Sequence, residues 1–229
     1  MSAASTPAVL VMAKAPRPGS VKTRLHPLLG PHGCAALQAE LIRHTVDTVT
    51  ATGLRAYVAY THGPGDGGAG IPDVRVAAPP GVRTLVQRGQ DLGQRLTAAV
   101  SDAFSDGGGP VLVIGTDAPT LTRMHLAAAL TALQNHDVVL GPALDGGYYL
   151  IGTRRPHTDL FALDPMWWST DKVLAATLAL AAEAGLSAEL LAPLRDLDTP
   201  EDAAALLADP GLPPAITAVL ASSQSREDG

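Results

Sequence analysis

The chain has 229 residues and a formal net charge of -6 at pH 7, and 46% of its residues are hydrophobic. This apolar content excludes a disordered chain, and the negative charge argues against non-specific binding to nucleic acid or to an anionic membrane surface. The single cysteine, Cys34, excludes an internal disulfide and a cysteine-based metal cluster. Since the sequence shows neither a signal peptide nor an apolar run of the roughly 18 residues that span a bilayer, it predicts a cytoplasmic protein.

Apolar runs and turn residues predict strands that alternate with helices along the chain. The predicted strands are 9–12, 55–61, 74–77, 111–114, 138–140, 148–151 and 189–191, and the predicted helices are 31–52, 91–104, 123–134, 170–184 and 201–208. A glycine-rich surface loop is expected at 62–70. Thr122 is the expected N-cap of the third helix, and Ser169 or Thr170 that of the fourth.

This alternation predicts an α/β fold in which a mostly parallel sheet is covered by helices on both faces. The two-glycine turn before Tyr148 cannot hold a crossover helix, so one antiparallel insertion is expected there. We expect one domain over 1–229, with a core at 8–208 and a frayed tail at 210–229.

The first predicted strand leads into a loop that concentrates positive charge, in the sequence VLVMAKAPRPGSVKTRL. The loop contains Lys14, Arg17, Gly19, Lys22 and Arg24. Cationic side chains and glycine-shaped backbone suit the binding of phosphate groups. In an open α/β sheet such a loop lies at the carboxyl end of its strand, where ligands bind. The sequence therefore predicts a site for a nucleotide or another polyphosphate.

Asp117 follows the most apolar strand of the chain directly, so it is expected at the same edge of the sheet. Its carboxylate either caps the next helical turn or binds Mg²⁺, which prefers one or two carboxylates together with phosphate oxygens. The cationic loop on the same edge favours the metal ligand. Asp198, just before the helix that begins at Thr199 and Pro200, is the candidate second carboxylate.

Two further segments carry candidate binding residues. Gln90 and Arg95 either contact a base or a phosphate, or belong to an ordinary helix start with a solvated arginine. Trp167 and Trp168 hold both tryptophans of an aromatic-poor chain, and they form either a lid or acceptor-site wall, or a structural anchor.

The stretch ALDGGYYLIG carries a third set of candidates, Asp145, Gly146, Gly147 and Tyr148. It is either a hairpin turn with a strand of packed tyrosines, or a backbone that approaches a ligand closely at its glycines. In the second interpretation Asp145 and Tyr148 face an acceptor substrate.

Taken together, AKAPRPGSVKTRL, QRGQDLGQRL, IGTDAPTL, GPALDGGYYLIG, WST and DLDTPED resemble a bacterial family of nucleotide-diphospho-sugar transferase-like proteins over residues 8 to about 208. That family, formerly of unknown function and often described as glycosyltransferases, is similar to 2-phospho-lactate guanylyltransferase and to molybdenum-cofactor guanylyltransferases. The resemblance implies a three-layer α/β/α domain of the glycosyltransferase-A, nucleotidyltransferase-like kind. In those relatives a lysine-rich first loop grips the triphosphate and an aspartate after a central strand holds Mg²⁺. A full D-x-D motif carries two carboxylates, whereas the sequence TDAP at this position carries one, that of Asp117.

The expected activity is nucleotidyl transfer from a nucleoside triphosphate to a phosphorylated small molecule, with Mg²⁺ (or Mn²⁺) on Asp117 and Asp198. Lys14 and Arg17 would hold the β- and γ-phosphates, and Lys22 would stabilise charge on the α-phosphate. Arg24 would brace the loop or reach the acceptor phosphate. The alternatives are a glycosyltransferase using a nucleoside-diphosphate sugar, which the tryptophan pair would suit, and a non-catalytic nucleotide-binding module. Monomer and homodimer both remain open.

Overall fold

The computed structural model describes residues 6–61 and 79–222. The strands are β1 (Ala8–Ala13), β2 (Arg55–Tyr60), β3 (Val82–Val86), β4 (Val111–Ile114), β5 (Val138–Pro142), β6 (Tyr148–Thr153) and β7 (Ala188–Leu190). The α-helices are α1 (His26–Thr50), α2 (Leu92–Ser105), α3 (Arg123–Ala132), α4 (Val173–Glu183), α5 (Pro200–Leu207) and α6 (Pro214–Ala221). The predicted strand at 74–77 and the predicted loop at 62–70 lie outside the described residues.

In the described part of the chain the strands form one seven-stranded sheet in the order β3-β2-β1-β4-β6-β5-β7. β1 pairs in parallel with β2 and β4, whereas β6 runs antiparallel to both β4 and β5. The predictions of a mostly parallel sheet and of an antiparallel insertion at Tyr148 are thus confirmed. The chain crosses from β3 back to β4 on the other side of β1, so the sheet has a topological switch point between β1 and β4.

Helices cover both faces of the sheet, because successive side chains of a strand point to opposite faces. On β1, Val9 and Val11 pack into the core beneath α1 and α3. Ala8 and Leu10 pack into a second core beneath α2 and α4. The layers are therefore helix, sheet and helix, and the predicted fold class is confirmed.

A third apolar cluster lies away from the sheet, between α1, α5 and α6, and it corrects the expected frayed tail at 210–229. Ile216 and Leu220 of α6 are 0% and 1% exposed, and they pack with Leu37 and Leu41 of α1. Pro214 in the first turn suits a helix start, since its missing N–H would have no intrahelical partner there. The prediction was wrong for α6 because Pro210 and the polar last residues suggested a chain end without packing partners.

Two helix starts also differ from expectation. α1 begins at His26 rather than at residue 31, with non-helical Gly30 (φ 65°, ψ 171°) interrupting it before Pro31. α4 begins at Val173 with Lys172 at the N-cap position. Thr170 instead closes the preceding turn, where its hydroxyl donates to the Trp167 carbonyl at 2.6 Å. No α-helix of the described residues is long and apolar enough to cross a membrane.

Candidate active site

The candidate site lies at the topological switch point, where β1 and β4 end side by side. Ala8 to Val11 pair in register with Val111 to Ile114, so the loops that follow both strands start at the same edge. The segment after β7 reaches this edge as well, and the Leu197 N–H donates to the Asp117 carbonyl at 2.7 Å. Three loops that are distant in sequence therefore meet where an open α/β sheet binds ligands.

Lys22 has an unusual backbone within the first of these loops. Its φ of 49° and ψ of 40° place a non-glycine residue in the left-handed region, directly before the short 3₁₀ helix Thr23–Leu25. Such a conformation costs on the order of 1–3 kcal/mol and needs support from its surroundings. The support comes from the Lys22 carbonyl, which accepts from the Leu25 N–H at 2.9 Å and from the Cys34 thiol at 3.3 Å.

The Lys22 ammonium group is enclosed by three oxygens. It donates to Asp117 Oδ1, to Asp198 Oδ1 at 2.9 Å and to the Leu197 carbonyl at 2.8 Å, and its side chain is only 4% exposed. Burial disfavours the charged ammonium, but the two carboxylates outweigh burial and raise the pKa of Lys22 above its ordinary value. The structure thus brings together three of the residues that the sequence singled out.

Asp117 is the carboxylate that follows β4, and cations surround it. Burial favours its neutral form, but Lys22, helped by the charge of Lys14, outweighs burial and lowers the pKa of the Asp117 carboxyl. Asp117 is therefore held as an anion, and its side chain remains 45% exposed. A half-exposed carboxylate that its cationic neighbours keep charged can accept a metal ion or a cationic side chain at this ligand-binding edge.

Gln38 of α1 supports this region in a way that the sequence analysis missed. Its side-chain amide, on a residue that is 3% exposed, donates to the Thr116 hydroxyl at 3.1 Å and to the Lys14 carbonyl at 3.5 Å. A buried amide thereby ties the β1 loop to the β4 loop. Gln38 follows Cys34 by four residues, so one face of α1 contacts both ends of the first loop. A glutamine within an apolar helical stripe was the only available signal.

Asp198 is positioned by the capping box that begins α5. The Asp202 carboxylate accepts from the Thr199 N–H at 3.1 Å and from the Asp198 N–H at 3.4 Å, while the Thr199 hydroxyl accepts from the Asp202 N–H at 3.2 Å. Arg195 also donates to Asp202, at 2.9 Å. This network satisfies the first N–H groups of the helix and holds the residue before it in a defined place.

Asp196 adds a further carboxyl group near the site. Its Oδ1 atom is buried and has no hydrogen-bond partner within the described parts of the chain. Burial, together with the charges of Asp117, Asp145 and Asp198, raises the pKa of Asp196 to about 8. The sequence showed that Asp196 precedes the helix but not that its side chain would be enclosed.

The predicted acceptor turn folds against the segment that precedes α4. Gly147 N–H donates to Asp145 Oδ1 at 2.9 Å, and Gly146 has a φ of 90°. A Cβ on Gly146 would lie 2.4 Å from the Asp171 carbonyl oxygen, so only glycine fits there. The Tyr148 hydroxyl is buried next to Thr177 of α4 rather than at the surface.

The second tryptophan and the start of α2 also meet. A Cβ on Gly93 would lie 2.3 Å from the Phe161 carbonyl oxygen and 3.2 Å from Trp168 Nε1. Arg95 donates to the Gly89 carbonyl at 3.2 Å, and the Gln90 N–H donates to the Gln94 side chain at 3.0 Å. These contacts fold the helix start onto itself and do not link Gln90 or Arg95 to the carboxylates.

The remaining candidates belong to the first loop. Lys14, Gly19 and Arg24 are exposed, and Arg17 is half-buried. Lys14 is close enough to influence the charge of Asp117. The loop therefore presents cationic side chains to solvent beside the enclosed Lys22.

The donor set of this site fits a divalent metal. Asp117 Oδ1, Asp198 Oδ1 and the Leu197 carbonyl already bind one cationic atom, and oxygen donors are what Mg²⁺ and Mn²⁺ prefer. Among the described residues no group of three or more His, Cys, Asp and Glu side chains could hold a metal by itself. Mg²⁺ usually takes one or two protein carboxylates and completes its coordination with waters and substrate phosphates.

The fold is that of an α/β domain of the nucleotide-diphospho-sugar transferase and nucleotidyltransferase kind. Over residues 44–170, more than half of its length, the chain matches the family described as "Uncharacterized protein conserved in bacteria (DUF2064)". The chain belongs to this family. The matched region includes Asp117 but neither the first loop nor Asp198. A comparison with curated proteins finds no match.

Solved structures similar to this chain share its fold. A protein of Desulfovibrio desulfuricans G20 that is named as a nucleotide-diphospho-sugar transferase has 29% identity, with 96% of this chain and 95% of that chain covered and a TM-score of 0.85. Rv0371c of Mycobacterium tuberculosis H37Rv, in complex with manganese, has 18% identity, coverage of 89% and 99%, and a TM-score of 0.55. The inositol-1-phosphate CTP transferase of T. maritima has 13% identity, coverage of 98% and 98%, and a TM-score of 0.54.

Proposed function

We propose that this protein is a transferase that uses a nucleotide and a divalent metal, and that it transfers a nucleotidyl group to a phosphorylated small molecule. The observation that carries this proposal is the position of Lys22 between Asp117 and Asp198, at the switch point of the sheet. The two carboxylates can hold a divalent metal, and the metal together with the cations of the adjacent loop can neutralise a triphosphate. The names of the similar structures, which include a CTP transferase, support this assignment.

In the proposed reaction an oxygen of the acceptor phosphate attacks the α-phosphorus of the nucleoside triphosphate. The bond from the α-phosphorus to the bridging oxygen breaks, and pyrophosphate leaves. Mg²⁺ bound to Asp117 and Asp198 would neutralise phosphate charge. Lys14 and Arg17 would hold the β- and γ-phosphates and Lys22 the α-phosphate. Positioning and charge neutralisation carry most of the rate in phosphoryl chemistry of this kind.

Glycosyl transfer from a nucleoside-diphosphate sugar is the second candidate. Met166 and Trp167 are 83% and 42% exposed, in the segment that leads to the contact between Asp171 and Gly146. An exposed aromatic ring beside the predicted acceptor turn can stack on a sugar. The Desulfovibrio relative, by its name, also favours a sugar nucleotide.

The test is a thermal-shift panel of ATP, GTP, CTP, UTP and their common diphospho-sugars, each with Mg²⁺ and with chelator. A ligand that binds only the native state raises the unfolding midpoint by mass action. We expect one triphosphate to give a Mg²⁺-dependent shift that Asp117→Asn abolishes. Asp159→Asn, a change at an exposed aspartate of the 3₁₀ helix Thr158–Phe161, should leave the shift intact.

The panel also discriminates between the candidates. A shift with a diphospho-sugar and none with its triphosphate would replace nucleotidyl transfer by glycosyl transfer. A shift that is the same with Mg²⁺ and with chelator, and that survives Asp117→Asn, would contradict the metal site.

A further inference from the structure

The Lys22 ammonium occupies the place that the proposed function gives to a metal. Each of the two carboxylates assigned to the metal accepts a hydrogen bond from Lys22 Nζ at its Oδ1 atom. The Leu197 carbonyl completes the contact at 2.8 Å. The 4% exposed side chain shows that the ammonium is enclosed rather than resting at the rim.

We propose that Lys22 is a resident cation of this site, which a divalent metal must displace before the displaced ammonium can bind the phosphates of the nucleotide. The proposal rests on the metal site of the proposed function and adds a mutual exclusion between the metal and the pairing of Lys22 with the carboxylates. Through this exclusion, Lys22 couples the binding of the metal to the binding of the nucleotide.

The exclusion follows from distance and charge. Mg²⁺ binds carboxylate oxygens at about 2.0–2.1 Å. An ion bound to both Oδ1 atoms would lie within a few ångströms of Nζ, which is 2.9 Å from Asp198 Oδ1 and in contact with Asp117 Oδ1. Two positive charges at such a separation repel strongly where little water screens them. Metal and ammonium therefore compete for the same oxygens.

The loop allows the side chain to leave while the backbone stays in place. The Lys22 carbonyl is fixed by Leu25 and Cys34, and Leu25 is fully buried in the third apolar cluster. The lysine side chain has a flexible four-carbon stem, and Lys14, which is exposed, lies near enough to Asp117 to influence its charge. Rotation within the Lys22 stem carries the ammonium from the carboxylates to the solvent side of the loop without refolding it.

This arrangement predicts how the two ligands depend on each other. A metal that binds alone must first break the charge-assisted hydrogen bonds between Lys22 and the two carboxylates. A triphosphate that binds alone cannot pair with the Lys22 ammonium, because the carboxylates already hold it. A metal–triphosphate complex supplies the carboxylates with a cation and the ammonium with an anion in one event. The site therefore favours the complex over either component, and by linkage each component raises the affinity for the other.

The first experiment measures the accessibility of Lys22 in the wild-type chain. The chain has three lysines, Lys14, Lys22 and Lys172, and reductive methylation followed by peptide mass spectrometry reports each of them. Lys14 and Lys172 are exposed and serve as internal controls. We expect Lys22 to be protected with chelator and to become methylated when MgCl₂ is added without nucleotide, while both controls keep their rates.

The second experiment titrates MnCl₂ into the full chain by calorimetry, without nucleotide. Lys22→Met should bind Mn²⁺ about tenfold more tightly than the wild type or better, because no charge-assisted hydrogen bonds need to be broken first. Lys14→Met removes a nearby cation that does not contact the carboxylates, so its smaller gain measures the general electrostatic effect. Adding Asp198→Asn to Lys22→Met should abolish the tight binding.

The outcomes separate the two proposals. The exclusion is overturned, and the metal site is kept, if three results occur together. Mn²⁺ binding requires Asp198, Lys22 stays protected from methylation when metal is added, and Lys22→Met binds Mn²⁺ no more tightly than Lys14→Met. Mn²⁺ binding that ignores Asp198→Asn, or no binding to any variant, overturns the metal site and the exclusion with it. If Lys22→Met does not fold, the methylation of the wild-type chain decides the question.

Discussion

Lys22 combines features that a purely structural lysine would avoid. It is a buried cation, and the cost of removing a charge from water is several kcal/mol before pairing offsets it. It also holds a left-handed backbone at a non-glycine position. Strained conformations and buried charges concentrate where function requires them. At the scale of single residues, we therefore expect a substitution of Lys22 to reduce activity more than it reduces stability.

We predict that Lys22→Ala lowers turnover by about 10²-fold or more, the loss expected for a donor that stabilises charge in the transition state. The measurement is steady-state turnover with the nucleotide that the thermal-shift panel identifies, on protein whose fold is checked by circular dichroism. Lys172→Ala, which removes an exposed lysine, is the matched control. Unchanged turnover in folded Lys22→Ala would rule out this role.

At the scale of single elements, α3 has an unusual capping residue. His125 occupies the position where a capping box ordinarily has glutamate or glutamine, and its Nδ1 accepts the Thr122 N–H at 3.0 Å. That contact requires the neutral imidazole. Partial burial disfavours the charged ring and lowers the pKa of His125 below its ordinary value of 6.5. The start of α3 is thus sensitive to pH.

We predict that His125→Gln, which keeps an acceptor but cannot titrate there, flattens the dependence of stability on pH. Because the folded-state pKa is lowered, the contribution of His125 is fully present above pH 6.5 and is lost as the pH falls through the lowered pKa. The loss is limited to about 1 kcal/mol, the usual value of a helix cap. Urea unfolding at pH 7.5 and pH 5 measures it, and equal pH dependence in both proteins would refute the capping role.

The elements that the sequence predicted best are those with an uninterrupted apolar run. β1 and β4 were predicted closely because every residue of β4, and nearly every residue of β1, is buried. β3 escaped prediction because none of its residues is fully buried, as suits an edge strand. Sequence patterns report burial, so they recovered the centre of the sheet and missed β3, although they located the other edge strand, β7, to within one residue.

Some residues of the candidate site could likewise be predicted from the sequence, and others could not. Lys22, Asp117 and Asp198 could be predicted because each belongs to a loop that follows or precedes a strongly patterned element. The roles of Cys34 and Gln38 could not, because a helical pattern shows which face is inward but not which loop a polar atom on that face will reach. Contacts between distant segments depend on tertiary packing alone.

At the scale of the whole molecule, the site depends on the far end of the described chain. Leu25, next to the loop of Lys22, and Leu197, whose carbonyl accepts from Lys22, are both fully buried in the third apolar cluster. Ile216 and Leu220 of α6 close that cluster from outside. The last helix thus supports two of the three loops that form the site, although it contributes no residue to it.

We predict that Ile216→Ala lowers the free energy of unfolding by about 2–5 kcal/mol, as expected when a fully buried aliphatic side chain is truncated. Leu207→Ala, at a position that is 36% exposed, should cost far less. Deleting the chain after residue 209 removes all of α6 and should abolish the nucleotide-dependent thermal shift, because Leu25 and Leu197 lose their cover. Urea unfolding and the thermal-shift panel measure both effects. A deletion variant with the wild-type midpoint and shift would show that the site stands without α6.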